Sequence, residues 1–384
     1  MKHYIQLMLL LLSACTLSGC WNASDIEHKG YVKALGIDYK DGQYIVHAQL
    51  LKFSTIAKSD SSGGGGDSGP SIDLGKGQGR TLNLATDDLY NTAQVTIAWG
   101  HLSSLIISEQ ALQAQGKSII EMLNRYPDIR YNTWLYTTKE PIESILSTNS
   151  LFKLPPIFSI LHDPKPNYNQ NSIISPILLF KYIAQYNEPA ITSFIPSLGV
   201  NKQQWKQPDK PLPLLMIKGA YFQSPTGKSV YLNRSKLFGY NWMQKEMKRA
   251  PLNVARDGTE YAHLNISDPK IKIKSIMKGN DVAFQIIASY NGAMFEYNEP
   301  MPYHEMTQLA EEIIKKQIVN VYKEGLKNGI DIYNLGDVLR HDNLKQWKKL
   351  SNNGKTLIVH NKSIDKLEVK INITYNGKYK RIAS

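Results

Sequence analysis

Apolar and polar positions alternate along most of the chain, and the period changes from one segment to the next. Residues 31–38 and 44–53 are apolar-rich and flank Lys40-Asp41-Gly42, and Asp-Gly between such runs predicts a hairpin. Residues 59–79 hold Gly63-Gly64-Gly65-Gly66 with further Ser, Gly and Asp, a composition that predicts a flexible surface loop. Leu82, Ala85, Leu89 and Ala93 then recur at helical spacing within 80–94. A strand is expected within 97–108, around Leu105-Ile106-Ile107. Two short helices follow, over 109–115 and 118–126, the second stopped by Pro127. Aromatic and β-branched residues alternate over 131–138, which predicts another strand. Segments 140–146 and 173–186 read as helices around a stretch containing Pro155, Pro156, Pro164 and Pro166.

Pro, Gln and Lys dominate 196–213, the composition of a boundary. A second hairpin is expected from 214–222 and 228–232 around Ser224-Pro225-Thr226-Gly227. In 270–276, Lys270, Lys272 and Lys274 alternate with Ile271 and Ile273, and Gly279-Asn280-Asp281 turns this strand into 282–290. Met306, Leu309, Ala310, Ile313, Ile314, Ile318 and Val321 share one face of a helix over 305–322. Asp342 is positioned to cap a short helix with Leu344, Trp347 and Leu350, and Leu367, Val369, Ile371 and Ile373 alternate in a last strand. The fold class is α+β: several domains of mixed or antiparallel sheets with packed helices, ending in an antiparallel sheet covered by a long helix. The lysines that alternate on that sheet read as its solvated face, and a partner or headgroup surface is the second reading. The expected partition is a removed segment 1–19, an N-terminal domain 20–195 carrying the loop 59–79, a middle hairpin-containing domain 196–265 and a C-terminal α+β domain 266–384.

Composition narrows the class. With 384 residues, 42% hydrophobic and 20% charged, the chain is neither polytopic nor wholly disordered. Ile5 to Leu12 is almost wholly apolar behind a weakly basic head, Met1-Lys2-His3, and is too short to cross a bilayer, so it reads as a signal peptide. It ends in Leu17-Ser18-Gly19-Cys20, a sequence that looks like a bacterial lipobox. There the small residues let the chain enter a signal peptidase, and the Cys20 thiol accepts a diacylglyceryl group. The chain has 2 cysteines, Cys15 and Cys20, so no disulfide scaffold or Cys-based zinc site is available beyond the leader. Removing residues 1–19 takes away Lys2 alone and lowers the net charge from +12 to +11, a balance that suits an anionic surface, a membrane or nucleic acid, without choosing among them.

Candidate chemistry is confined to near misses. Gly227-Lys228-Ser229 and Gly116-Lys117-Ser118 echo the end of a phosphate-binding loop, but Phe222 and Ala111 stand where its first glycine is required. Gly75-Lys76-Gly77-Gln78-Gly79 lacks dinucleotide-binding spacing and reads as turn glycines. His304-Glu305 begins like a zinc-protease helix, but Gln308 occupies the second ligand position. Ser275-Ile276-Met277-Lys278 and Ser363-Ile364-Asp365-Lys366 match Ser-x-x-Lys without the motifs that accompany it in penicillin-recognising enzymes. The 9 histidines are scattered, so spacing supports no catalytic, metal or cofactor site.

Five segments resemble the Ger(x)C family, the lipoprotein C subunits of spore germinant receptors. They are Leu17-Ser18-Gly19-Cys20-Trp21 with Asp25 and Glu27; 31–38, ending Gly36-Ile37-Asp38; and Gly100-His101-Leu102 through Ile106-Ile107-Ser108-Glu109, Leu123-Asn124-Arg125 and Asp128-Ile129-Arg130. The others are Lys218-Gly219-Ala220-Tyr221-Phe222 with Leu237-Phe238-Gly239, and Gly329-Ile330-Asp331-Ile332-Tyr333-Asn334-Leu335-Gly336 with Trp347-Lys348 and the strand 369–375. The resemblance departs at the long Gly-rich insert and at Ser108, where many members have Gly. It implies three α+β domains outside the membrane and no enzymatic activity. It also implies an anchor at Cys20 on the outer face of the spore inner membrane and assembly with polytopic A and B subunits, with no role for nucleic acid. The alternatives are a solute-binding lipoprotein of a transporter, which would show βα repeats in two lobes, and an anchored cell-wall hydrolase.

Overall fold

The computed structural model describes residues 3–6, 29–51, 72–125, 129–130, 132–208 and 210–375. Leu17, Ser18, Gly19, Cys20 and most of the expected loop 59–79 lie outside them. The first strands are β1 (Lys29–Lys40) and β2 (Gln43–Leu51). They form the expected hairpin: Lys40 faces Gln43, and Asp41 and Gly42 take φ of +53° and +77° between them. Two positive φ values give the turn a twist that matches the strands.

The expectation of a loop through residue 79 fails at its end, because Ile72–Gly79 is strand β3, paired antiparallel with β2. Its alternate glycines do not make turns. They are a flat landing for helix α1 (Leu82–Tyr90), which lies directly on the strand. A Cβ at Gly77 would stand 2.1 Å from the Ala85 carbonyl oxygen, and one at Gly79 would stand 2.6 Å from the Ala85 nitrogen.

The chain continues through β4 (Thr96–Ala98), β5 (Ser104–Ser108), α2 (Glu109–Leu123), β6 (Trp134–Thr138) and α3 (Ile142–Leu146). The two short helices expected over 109–126 are one. Gly116 is half-buried on α2, off the stripe formed by Ala111, Ile119, Ile120 and Leu123, and costs about 1 kcal/mol relative to Ala without breaking the helix. Gly116-Lys117-Ser118 is therefore mid-helix and cannot wrap a phosphate. After α4 (Lys165–Gln170) come β7 (Ile177–Leu178), α5 (Leu179–Asn187), β8 (Ser193–Asn201), a small hairpin of β9 (Lys206–Gln207) and β10 (Lys210–Pro211), β11 (Leu214–Gln223) and β12 (Ser229–Asn233). Pro196 lies inside β8, opposite Ala220 of β11.

These strands build one sheet in the order β12-β11-β8-β6-β5-β1-β2-β3, with β4 beside β1 and β7 beside β6. Its centre is parallel: β1 with β5, β5 with β6, and β6 with β8. The β5-α2-β6 unit is a parallel crossover, which the sequence reading did not anticipate. Both faces are covered, which explains the unbroken run Leu105-Ile106-Ile107. Leu105 and Ile107 enter the main core, and Ile106 joins Ala34, Tyr136, Ile142, Ile145 and Leu198 on the opposite face.

Beyond α6 (Phe238–Asn241), a second sheet is built from β13 (Ala250–Arg256), β14 (Thr259–Lys278), β15 (Asp281–Tyr297) and β16 (Ile364–Tyr375), in that order. The β13–β14 turn is Asp257-Gly258, both at positive φ, a hairpin the sequence marked in the same way as Asp41-Gly42. The expected antiparallel pairing holds through β15, but β16 enters parallel to it. The connection between them explains why, since α7 (Tyr303–Lys327), α8 (Leu335–Asp342) and α9 (Leu344–Leu350) carry the chain back over one face. Asn343, not Asp342, caps α9, accepting from the Gln346 N–H at 3.1 Å. Asp342 instead accepts from the Ser275 N–H and hydroxyl of β14. The main core is continuous from the large sheet into this α7-covered one.

Candidate functional site

The segment of the C-terminal half that resembles the family forms a knot at the seam between the two sheets. Gly329, at φ +68°, ends α7, and the Ile330 N–H reaches back to the Gly325 carbonyl at 2.9 Å. Ile330 and Ile332 then turn into the core. The buried Tyr333 hydroxyl donates to the Ile318 carbonyl of α7 at 2.9 Å.

Asp331 closes the turn. Its Oδ2 accepts the Gly336 N–H at 2.6 Å, at the start of α8. The N–H groups of Leu335 and Tyr333 also favour the charge, but burial outweighs them and pushes the carboxyl up to about 6. Only 6% of Asp331 is exposed, and its Oδ1 has no hydrogen-bond partner among the described residues. It borders a void of about 40 Å³ shared by both halves, lined by Thr192 and Ser224 on one side and Trp347, Ser351 and Gly354 on the other. That is room for a few waters and for no larger ligand. Chemically, the arrangement lets Asp331 keep its proton up to about pH 6, above the ordinary carboxyl range. Asn334, at φ +56°, crosses the seam to accept the Thr192 N–H at 2.7 Å, and Arg340 pairs with Glu188 at 2.8 Å.

Other segments that carry the resemblance also serve close packing. A Cβ at Gly239 in α6 would stand 1.9 Å from the Gln317 carbonyl oxygen of α7, and one at Gly36 in β1 would stand 2.3 Å from Ile142 of α3. Asp38 accepts from the Ser108 hydroxyl, so two of those segments meet, and Ser108 also caps α2 through the Ala111 N–H at 3.0 Å.

A buried polar cluster escaped the sequence reading. His162 Nε2 lies 2.9 Å from Gln49 Oε1, and its Nδ1 lies 2.7 Å from Ser103 Oγ and 3.1 Å from Ser104 Oγ. Gln49 Nε2 donates to the Leu146 carbonyl at 2.7 Å, which leaves its oxygen to accept from the ring. Nε2 therefore carries the proton, and Nδ1 accepts from Ser103. Burial, with Lys33 nearby, lowers the His162 pKa to about 3. Both ring nitrogens are committed, so this Ser–His contact is a brace between β5, β2 and the loop before α4, not a nucleophile and base.

The remaining near misses fall on ordinary elements. Gly227 turns the β11–β12 hairpin at φ +83°, and His304 is in the first turn of α7. Among the described residues, no three His, Cys, Asp or Glu side chains are grouped to hold a metal, and no helix is long and apolar enough to cross a membrane.

Two braced sheets, a carboxylate-centred seam and close helix contacts define a multidomain α+β protein. Residues 22–200 match the family described as the spore germination protein N-terminal domain, and residues 219–377 match the spore germination B3/GerAC-like C-terminal family. The chain belongs to the Ger(x)C family of spore germinant receptor C subunits. It is 21% identical over 362 residues to spore germination protein KC of Bacillus subtilis (strain 168), covering 89% of this chain and 88% of that one. The crystal structure of the GerBC protein is similar, with a TM-score of 0.49 and 15% identity over 89% of this chain and 96% of that chain.

Proposed function

We propose that this chain is the lipid-anchored C subunit of a spore germinant receptor, held by acyl chains on Cys20 at the outer face of the spore inner membrane. It acts without catalysis, by contact with the polytopic A and B subunits. The match of both halves to germination families, in order along the chain, carries this reading. The lipobox-like Leu17-Ser18-Gly19-Cys20 supports the anchor. One acyl chain holds a protein to a bilayer only marginally, whereas two or three hold it stably. Confinement beside membrane partners raises their effective concentration, so modest interfaces suffice for assembly. A signal can pass through the subunit only if its contacts differ between the resting and triggered receptor. The neutral, fully bonded His162 supports a body built for rigidity.

Affinity capture of the full-length chain from spore membranes tests the assembly. Two polytopic partners are expected, and loss of the chain should abolish the germination response of that receptor. Capture of a transporter permease with its ATPase would replace this reading with that of a solute-binding lipoprotein.

A further inference from the structure

The second sheet is covered on one face by α7 and bare on the other. On the bare face, Lys270, Lys272 and Lys274 of β14 stand in register with Ser289, Ile287 and Gln285 of β15. Lys366, Glu368 and Lys370 of β16 flank the same three residues from the other side. The result is a grid about 14 Å along the strands and about 10 Å across them. Five lysines occupy its flanks, and a neutral row runs down its middle.

The acids around this grid lie along its edges: Glu311 and Glu312 of α7 border a hollow of about 620 Å³ with Lys366 and Glu368 at the β16 edge, and Glu311 acts on Lys370. Glu368 pairs with Lys366 at 2.7 Å and with Lys370 at 2.6 Å, and Asp268, at the rim, bonds to Ser267 and Asn291. Asp365 pairs with Lys278 at one end. Lys270, Lys272 and Lys274 form no ion pair with an acid among the described residues and are exposed. Like charges repeated along a strand repel one another, which an isolated fold gains nothing by keeping. An extended surface of opposite sign offsets that repulsion at every position at once. Ile287, exposed at the centre, adds an apolar contact.

We infer that this lysine face docks on the phosphate headgroups of an anionic bilayer and sets which side of the body faces the membrane. Three lysines spaced evenly along one strand, exposed and without an acid partner among the described residues, match the repeated anionic groups of a headgroup layer better than a single acidic peptide. The orientation it would impose rests on the Cys20 anchor proposed above, but the binding itself does not.

The test therefore uses residues 21–384, which retain every strand of both sheets and lack the acylation site. Binding is read by co-sedimentation with vesicles of phosphatidylcholine alone and with about 30% phosphatidylglycerol. Binding to the anionic vesicles only, lost on raising salt from 0.1 to 0.5 M, is expected. At about fivefold per lysine, the triple variant K270Q/K272Q/K274Q should bind about 100-fold more weakly. The matched variant K316Q/K323Q/K327Q, which removes equal charge from the α7 side, should lose less than fivefold. Equal losses in the two variants, or no binding by the parent, would overturn the inference. Either outcome, alongside stable membrane partitioning of the acylated full-length protein, would leave the anchor standing.

Discussion

Asn334 accepts a 2.7 Å hydrogen bond from the Thr192 N–H across the seam between the two sheets, and it does so from the left-handed region at φ +56°. Two separable contributions meet at this residue. Replacing it with Ala removes the bond and strains the backbone, about 1 kcal/mol for each. Replacing it with Gly removes only the bond. Asn334→Ala should therefore unfold at a lower urea concentration than Asn334→Gly, with the parent highest. Coincident transitions for the two variants would show that the seam does not depend on this geometry.

Asp331 makes the seam sensitive to protons. Its carboxyl is raised to about 6 in the fold, so the folded chain binds a proton that the unfolded chain has already released. Stability from this group is full below the ordinary carboxyl range and falls as pH rises through about 6, by roughly 3 kcal/mol. Asp331→Asn cannot ionise and should flatten that fall. Urea midpoints at pH 5 and pH 7.5 capture about half of that fall, roughly 1.5 kcal/mol, and parallel shifts in parent and variant would refute the assignment.

His162 works in the other direction. Its pKa is lowered to about 3, so the fold favours the neutral ring, and stability falls as pH drops below about 6.5 toward about 3. Its imidazole NMR signals should not titrate above pH 5. His162→Leu would leave the Gln49 Oε1 without its donor, while Ser103 keeps the Lys33 carbonyl, and should cost about 1–3 kcal/mol. A normal titration near pH 6.5 would mean that the cluster is open to water.

Gly239 is where α6 meets α7 most closely. A Cβ there would stand 1.9 Å from a backbone oxygen, which no side-chain rotation relieves. Gly239→Ala should cost about 3 kcal/mol and lower the melting temperature by several degrees. Gly100, with nothing within 4 Å of a built Cβ, provides the control: Gly100→Ala should change the melting temperature little.

Features written in adjacent residues were legible from sequence. Asp41-Gly42 announced its hairpin, and the stripe through Met306, Leu309 and Ile314 announced α7. Features that depend on a distant partner were not. The glycines at 75, 77 and 79 looked like a loop because the helix that needs their flatness packs on them from outside the segment. Gly116 looked like a helix break because the buried stripe that carries α2 past it depends on the sheet beneath. The parallel entry of β16 follows from three helices that return the chain, not from its own alternation. The His162 brace joins Gln49, Ser103 and Ser104 from three regions of the chain, so no spacing could reveal it. Asp331 was legible only as part of a resembling segment, because its burial comes from the fold around it. Gly239 was visible in the same way, and its reason lies in α7.

The proposed anchor has a direct readout. Mass spectrometry of the N-terminal peptide of the chain purified from spore membranes should show a polypeptide that starts at Cys20 with the diacylglyceryl group on its sulfur. The Cys20→Ala chain should then appear in the soluble fraction. An N-terminal peptide from membrane-bound protein with an unmodified Cys20, or a Cys20→Ala chain as firmly membrane-held as the parent, would contradict lipid tethering as the basis of its function.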